Sequence, residues 1–410
     1  MPEPDTRSRP GLSRRRLLGT GAVALGAAGT GWGAASVKRS STAAARAGTT
    51  GQQTVAFYGD HQAGVTTPAQ AHAVFAAYDL APGTDRQRVA GLLRAWTDDA
   101  ARLTQGIPGL ADSEAELATS PSRLTITVGF GPRLFDVIGA PHLRPPGIAQ
   151  LPAYRIDELD PGFTGGDLLL QVCADDPLPL AHALRILSRS VRSLVTPRWV
   201  QRGFRDARGS QPEGTTMRNL MGQLDGTANP KPEDAGFGRL VWSDGAQAPW
   251  FRGGTQLVLR RIRMDLDTWD ELGRDARELS VGRRIANGAP LTGNEEHDEP
   301  DFAASDRFGL PVIPPSSHIA RAHPQHPSEV FFRRAYNYDD PPSGGAISNT
   351  GLLFAAYQAD ITTQFLPVQE RLAEFDVLNE WTTPVGSAVF AIPPGCQPGQ
   401  YLGQQLFDSV

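Results

Sequence analysis

The stretch MGQLDGTANP, residues 221–230, places one carboxylate, Asp225, between Gly222 and Gly226. Glycine on both sides lets the backbone turn tightly and come close to a flat ligand. A short acid at such a turn could take a proton from a bound molecule and return it over a reach of about 3 Å. An isolated Asp-Gly more often only caps a turn, and at this point both readings stand. Two arginines, Arg333 and Arg334, head the stretch RRAYNYDD. A guanidinium stays cationic and offers a rigid fork of donors, which suits negative charge building on an oxygen. Side chains alternate along a strand, so only one of the two can look toward the acid.

Three of the 8 histidines, His318, His323 and His326, fall within SSHIARAHPQHPSE. Pro324 and Pro327 break the regular spacing that a zinc site would use. A single imidazole such as His318 could instead be the axial ligand of a haem iron, although a lone histidine is more often packed or on the surface.

TVAFYG, HAVFAAYDL, RLTITVGFG and DLLLQVCA read as strands, with helices over DRQRVAGLLRAWTDDAARL and LPLAHALRILSRSVRSLV. The polar, glycine-bearing run from Gln201 to Gly214 reads as a connection, after which the pattern starts again. TQLVLRRIRMDL, VFFRRAYNY, GLLFAAYQ and SAVFAIP read as strands, and DLDTWDELGRDARELSVG and TTQFLPVQERLAEFDVL as helices. This predicts two α+β halves, residues 48–212 and 213–410, each an antiparallel sheet with helices on one face. The long run from Arg284 to His326, rich in Pro, Asn, Asp and His, reads as a long loop, functional or disordered.

A chain of 410 residues, 40% hydrophobic, can bury a large core, and a formal net charge of −5 argues against a nucleic-acid binder. The 2 cysteines are too few for a disulfide framework. Cys173 reads as a packed core thiol, and nothing in the spacing supports its pairing with Cys396. GNEEHDEPD lacks the ligand spacing of a calcium loop and reads as a solvated acidic loop. GGDLLL and GFGPRLFDVIG lack the phosphate and dinucleotide fingerprints, so nucleotide cofactors are not expected.

The N-terminus carries Ser13, Arg14, Arg15, Leu17 and Leu18, then a mild Gly/Ala run and small residues. This resembles a twin-arginine export signal over residues 1–47, with the twin-arginine translocase as a transient partner and an extracellular or cell-envelope destination. That route generally carries folded cargo, often around a cofactor.

FYGDHQAGVTTPAQAH, MGQLDGTANP, SSHIARAHP with RRAYNYDD, and the C-terminal run from GLLFAAYQ to FAIPPG together resemble dye-decolorising peroxidases, in the family's order from about Thr54 to Cys396. The resemblance implies two ferredoxin-like halves with one haem b per chain in the C-terminal half. It implies His318 as the axial iron ligand and Asp225 and Arg333 as the catalytic pair. By the same resemblance Gly226, Thr227, Ala228, His323 and Arg333 border the haem, and Asp376 or Glu380 would hold His318. Family members often carry asparagine at the place of His323 and glycine at that of Ala335. The implied reaction reduces hydrogen peroxide and oxidises dyes or other bulky, phenolic donors in one-electron steps. Electrons would leave through surface aromatics among Tyr336, Tyr338, Tyr357 and Trp381, Tyr336 and Tyr338 first for closeness to Arg333, although each such residue is more often an ordinary core or sheet aromatic; a homo-oligomer is a further expectation. Two alternatives remain: a haem-binding protein that releases iron for uptake, and a non-catalytic module of the same halves.

Overall fold

The computed structural model describes residues 49–342 and 344–410; the export signal expected over residues 1–47 lies outside them. Strand β1 (His72–Leu80) shows how the first half is built. Val74, Ala76 and Tyr78 enter one apolar cluster, while Ala73, Phe75 and Ala77 enter another on the opposite face. A strand buried on both faces reads as a continuous apolar run, as HAVFAAYDL does. It pairs antiparallel with β3 (Leu168–Ala174) on one side and β4 (Val195–Phe204) on the other, and β3 pairs with β2 (Thr125–Phe130). Helices α1 (Arg86–Leu103) and α2 (Pro177–Ser190) connect these strands. On α1, Val89, Leu92, Leu93, Trp96, Ala100 and Leu103 form the buried stripe of an amphipathic helix, and Asp85 caps it by accepting from the Arg88 N–H.

The second half repeats the plan. Strand β5 (Thr255–Met264) lies between β8 (Thr350–Gln358) and β9 (Thr382–Ile392), and β8 also pairs with β6 (Phe332–Arg333) and β7 (Tyr336–Asp339). Its helices are α3 (Arg274–Val281), α4 (His318–Ala322) and α5 (Ile361–Phe375). In each half the two outer strands flank a central antiparallel pair in the ferredoxin-like order, β2-β3-β1-β4 and β9-β5-β8-β7. The halves meet edge to edge, Phe130 opposite Ala391 and Phe204 opposite Asn337, so the two expected sheets merge into one 9-stranded sheet.

Four local expectations are corrected. TVAFYG is not a strand; it runs as irregular chain. Strand β4 occupies a stretch read partly as the end of a helix and partly as a connection. Its Pro197 and exposed polar residues hide it, and a register shift opposite Ala77 and Tyr78 accommodates the proline. The helix expected over residues 265–282 breaks into Leu266–Trp269 and α3, with Gly273 as the cap of the latter. VFFRRAYNY is shortened to β6 and β7, which keep one register on β8, with the Arg334 N–H between them still donating to the Ala355 carbonyl. Cys173 and Cys396 are both buried and free.

Candidate active site

One cavity of about 460 Å³ opens in the second half, lined from β5, β8, α4, α5 and the turn after Gly222. That volume lies within the ~300–1,000 Å³ of cofactor sites. Asp225, Gly226, Thr227, Ala228, His318, His323 and Arg333 all line it.

The turn forms because Gly222 and Gly226 take φ of 85° and 137°, values that side chains with a Cβ rarely adopt. Asn219 knits it, its Oδ1 accepting from the N–H groups of Met221 at 3.1 Å and Gln223 at 3.2 Å. The Asp225 N–H is anchored on the Met217 carbonyl at 2.8 Å. The carboxylate faces the cavity with one oxygen and its own turn with the other. Its Oδ1 accepts from Arg333 Nη1 at 3.1 Å, and its Oδ2 from Asn219 Nδ2 at 3.4 Å.

Arg333 and Arg334 leave β6 in different directions. Arg333 lines the cavity; Arg334 is buried on the other side, donating to the Thr67 carbonyl and to Gln70 Oε1. Strand alternation is the cause.

His318 opens α4, and its Nδ1 lies 2.6 Å from Asp376 Oδ2. Asp376 is buried and Glu380 exposed, so of the two acids only Asp376 holds the ring. The His318 side chain retains 36% exposure, and it is a cavity-lining residue. With Nδ1 engaged, Nε2 is the nitrogen left to meet a ligand. Burial disfavours the imidazolium, but Asp376 outweighs it and moves the pKa above the ordinary imidazole value; Asp225 adds to the rise and Arg333 opposes it. The three predicted groups thus share one electrostatic environment.

His323 lines the cavity with its ring 4.8 Å from that of Phe302, and its carbonyl accepts from Arg371. Tyr336, Tyr338 and Tyr357 are buried, which makes them the core aromatics they more often are rather than surface exits for electrons. Each stands on a strand packed on both faces. Trp381 is half-buried, with its ring 5.3 Å from that of Trp269.

Some residues at or beside the cavity were missed or misjudged from the sequence. Arg260 is buried on β5 and paired with Asp157, with its Nε unpartnered. Arg283 donates to the carbonyls of Gly288 and Glu296, and burial pulls its pKa below the usual guanidinium value against the opposing effect of Glu296 and Glu299. Glu296 departs from the solvated loop expected of GNEEHDEPD: its Oε1 accepts from Thr216 at 2.5 Å and Thr227 at 2.9 Å, tying that loop to the turn that carries Asp225. Only the paired arginines of RRIRM gave any sequence signal for Arg260.

Comparison with known proteins matches residues 62–205 to the N-terminal and residues 216–397 to the C-terminal model of Dyp-type peroxidases. The chain is 40% identical to a dye-decolorizing peroxidase of Thermobifida fusca, covering 100% of both. It is 35% identical to a deferrochelatase of Yersinia pestis, covering 99% of this chain and 97% of the relative. Among solved structures, a DyP-type peroxidase from Cellulomonas bogoriensis superposes with a TM-score of 0.86 at 53% identity, over 88% of this chain and 99% of the other.

Proposed function

Because the chain belongs to the Dyp-type peroxidase family, we propose that its cavity is the seat of a haem-dependent peroxidase reaction carried by His318, Asp225 and Arg333. The enzyme reduces hydrogen peroxide and takes electrons from a donor.

The residues present fit a haem. Among the described residues no group of three or more His, Cys, Asp or Glu could hold a metal ion unaided. The cavity offers instead one imidazole backed by a carboxylate, which is the donor set an iron already held in a porphyrin requires. Ile262, Leu352, Phe354 and Val368 give the walls an apolar surface for a flat ring, and Arg283 would offer a cation to its carboxylates. His318 would hold the iron through Nε2, with Gly226, Thr227, Ala228 and His323 along the rim.

Haem iron, when bound, supplies the redox chemistry that cleaves the O–O bond. Asp225 takes the proton from one peroxide oxygen and returns it to the other, which departs as water. Arg333 stabilises the negative charge on the departing oxygen. Asp376 keeps His318 in the tautomer that presents Nε2 and raises its electron donation.

The observation that carries this reading is the 3.1 Å contact of Arg333 with Asp225 at the wall of the cavity that also receives His318. The test is an optical spectrum of the purified protein before and after one equivalent of hydrogen peroxide, repeated with Asp225→Ala. A haem absorption band that responds to peroxide in the wild type, and responds ~10²–10⁴-fold more slowly in the variant with haem still bound, is the expected result. A variant reacting at the wild-type rate refutes the assignment of Asp225.

A second reading, release of iron from haem, draws on the deferrochelatase relative. It predicts iron-free porphyrin, seen as rising fluorescence, when haem-loaded protein meets a reductant and an iron chelator. Three further proposals complete the picture. The chain is exported by the twin-arginine route, which Arg14→Lys with Arg15→Lys would block. The mature protein divides into residues 48–212 and 213–410, a reading supported by where the two family models fall. It forms a homo-oligomer, which sedimentation would reveal.

A further inference from the structure

Strand β6 is two residues long and runs in line with β7 along one edge of β8, where its own outer side meets no further strand. The N–H of Arg334 turns to the Ala355 carbonyl of β8 at 2.8 Å. The N–H and C=O of Arg333 turn the other way, toward the open edge. Backbone groups at such an edge need partners, and without them the strand end is free to shift.

Both find one side chain. Asn229 Oδ1 accepts from the Arg333 N–H at 2.7 Å, and Asn229 Nδ2 donates to the Arg333 carbonyl at 2.9 Å. The carboxamide thus replaces a strand neighbour at the residue whose guanidinium meets Asp225. Asn229 belongs to the same turn as that acid, and its own N–H donates to the Gly226 carbonyl at 2.8 Å. One five-residue segment, Asp225 to Asn229, therefore holds Arg333 by its backbone at one end and by its side chain at the other.

We infer that Asn229 is a positioning residue for peroxide cleavage: it sets the place of Arg333 relative to Asp225 and touches no reacting atom itself. This rests on the peroxidase reading of Asp225 and Arg333. Only asparagine or glutamine carries a neutral acceptor and donor side by side, and glutamine's extra methylene displaces both. Aspartate keeps the acceptor for the Arg333 N–H but sets a second oxygen against the Arg333 carbonyl.

The test is a double-mutant cycle on the full chain loaded with haem, using Asn229→Ala, Arg333→Ala and the pair. Two quantities are read: the rate constant for reaction with hydrogen peroxide, and the dissociation constant of cyanide from the ferric protein, an equilibrium that involves no turnover. Asn229→Ala is expected to slow the peroxide reaction by ~10- to 100-fold, as misplacement by about 1 Å does, to weaken cyanide, and to leave haem content unchanged. In the Arg333→Ala background it should change neither quantity by more than about twofold. A loss of the same size in both backgrounds, or a single variant at the wild-type rate, overturns the inference while leaving Arg333 its role. If Arg333→Ala itself reacts at the wild-type rate, the peroxidase reading of Arg333 falls and takes this inference with it. Should Asn229→Ala fail to fold, Asn229→Asp goes through the same cycle under the same criteria.

Discussion

His318 Nδ1 lies 2.6 Å from Asp376 Oδ2, and that one contact decides which nitrogen of the ring faces the cavity. The carboxylate is itself fixed, its Oδ1 accepting from the Leu378 N–H at 2.9 Å. Asp376→Ala should therefore loosen haem binding by ~10- to 100-fold, the usual cost of losing the group behind a metal-bound histidine. Titration of haem into the apoprotein measures this, and Glu380→Ala, a change at an exposed position, serves as the control that leaves affinity unaltered.

Arg333 and Arg334 are adjacent in sequence and should fail in different ways. Arg333→Ala is expected to slow the peroxide reaction with little change in thermal midpoint. Arg334→Ala removes a buried cation and leaves the Thr67 carbonyl and Gln70 Oε1 without their donor, which costs roughly 1–3 kcal/mol for each buried group left unpaired. Stopped-flow kinetics beside calorimetry on the same two proteins separates the effects; a swap of phenotypes would reverse the assignment.

With the three tyrosines enclosed, Trp381 is the one half-buried member of the aromatic set, next to the cavity-lining residues Asn379 and Thr382 and packed on Trp269. Trp381→Phe should lower turnover of bulky dyes several-fold while the peroxide step and oxidation of small phenols stay unchanged. Equal loss for large and small donors would argue against an exit at this residue.

Away from the cavity, His182 Nε2 meets Asp112 Oδ2 at 2.7 Å in the first half. Burial works to raise the Asp112 pKa, but the hydrogen bond from His182 and the Glu114 N–H outweigh it, and the net direction is down. A carboxyl lowered on folding contributes stability above its unfolded pKa of about 3.9 and loses it as pH falls through the folded value. Stability should fall as pH drops below ~4, and Asp112→Asn should lessen that fall; urea unfolding at pH 3, 4 and 6 reads it.

Much of this was legible in the chain itself. HAVFAAYDL, DLLLQVCA and GLLFAAYQ announce strands because a strand covered on both faces needs an unbroken apolar run. MGQLDGTANP shows an acid at a glycine turn, since only glycine takes positive φ without strain. What local pattern could not show is where distant segments meet. Strand β4 was obscured because its pairing with β1 overrides a proline and exposed polar residues. The burial of Tyr336, Tyr338 and Tyr357 depends on neighbours contributed by β1, β3 and β5.

By itself, then, the sequence determined the kinds of element, the acid, the arginine pair and the imidazole, because each is written in residue type and short-range spacing. Only the tertiary structure decided that Asp376 rather than Glu380 backs His318, that Arg333 rather than Arg334 meets Asp225, and that Asn229 holds that arginine. Those choices span 58, 108 and 104 residues of chain, and only the folded sheet and its helices bring such separations within hydrogen-bond reach.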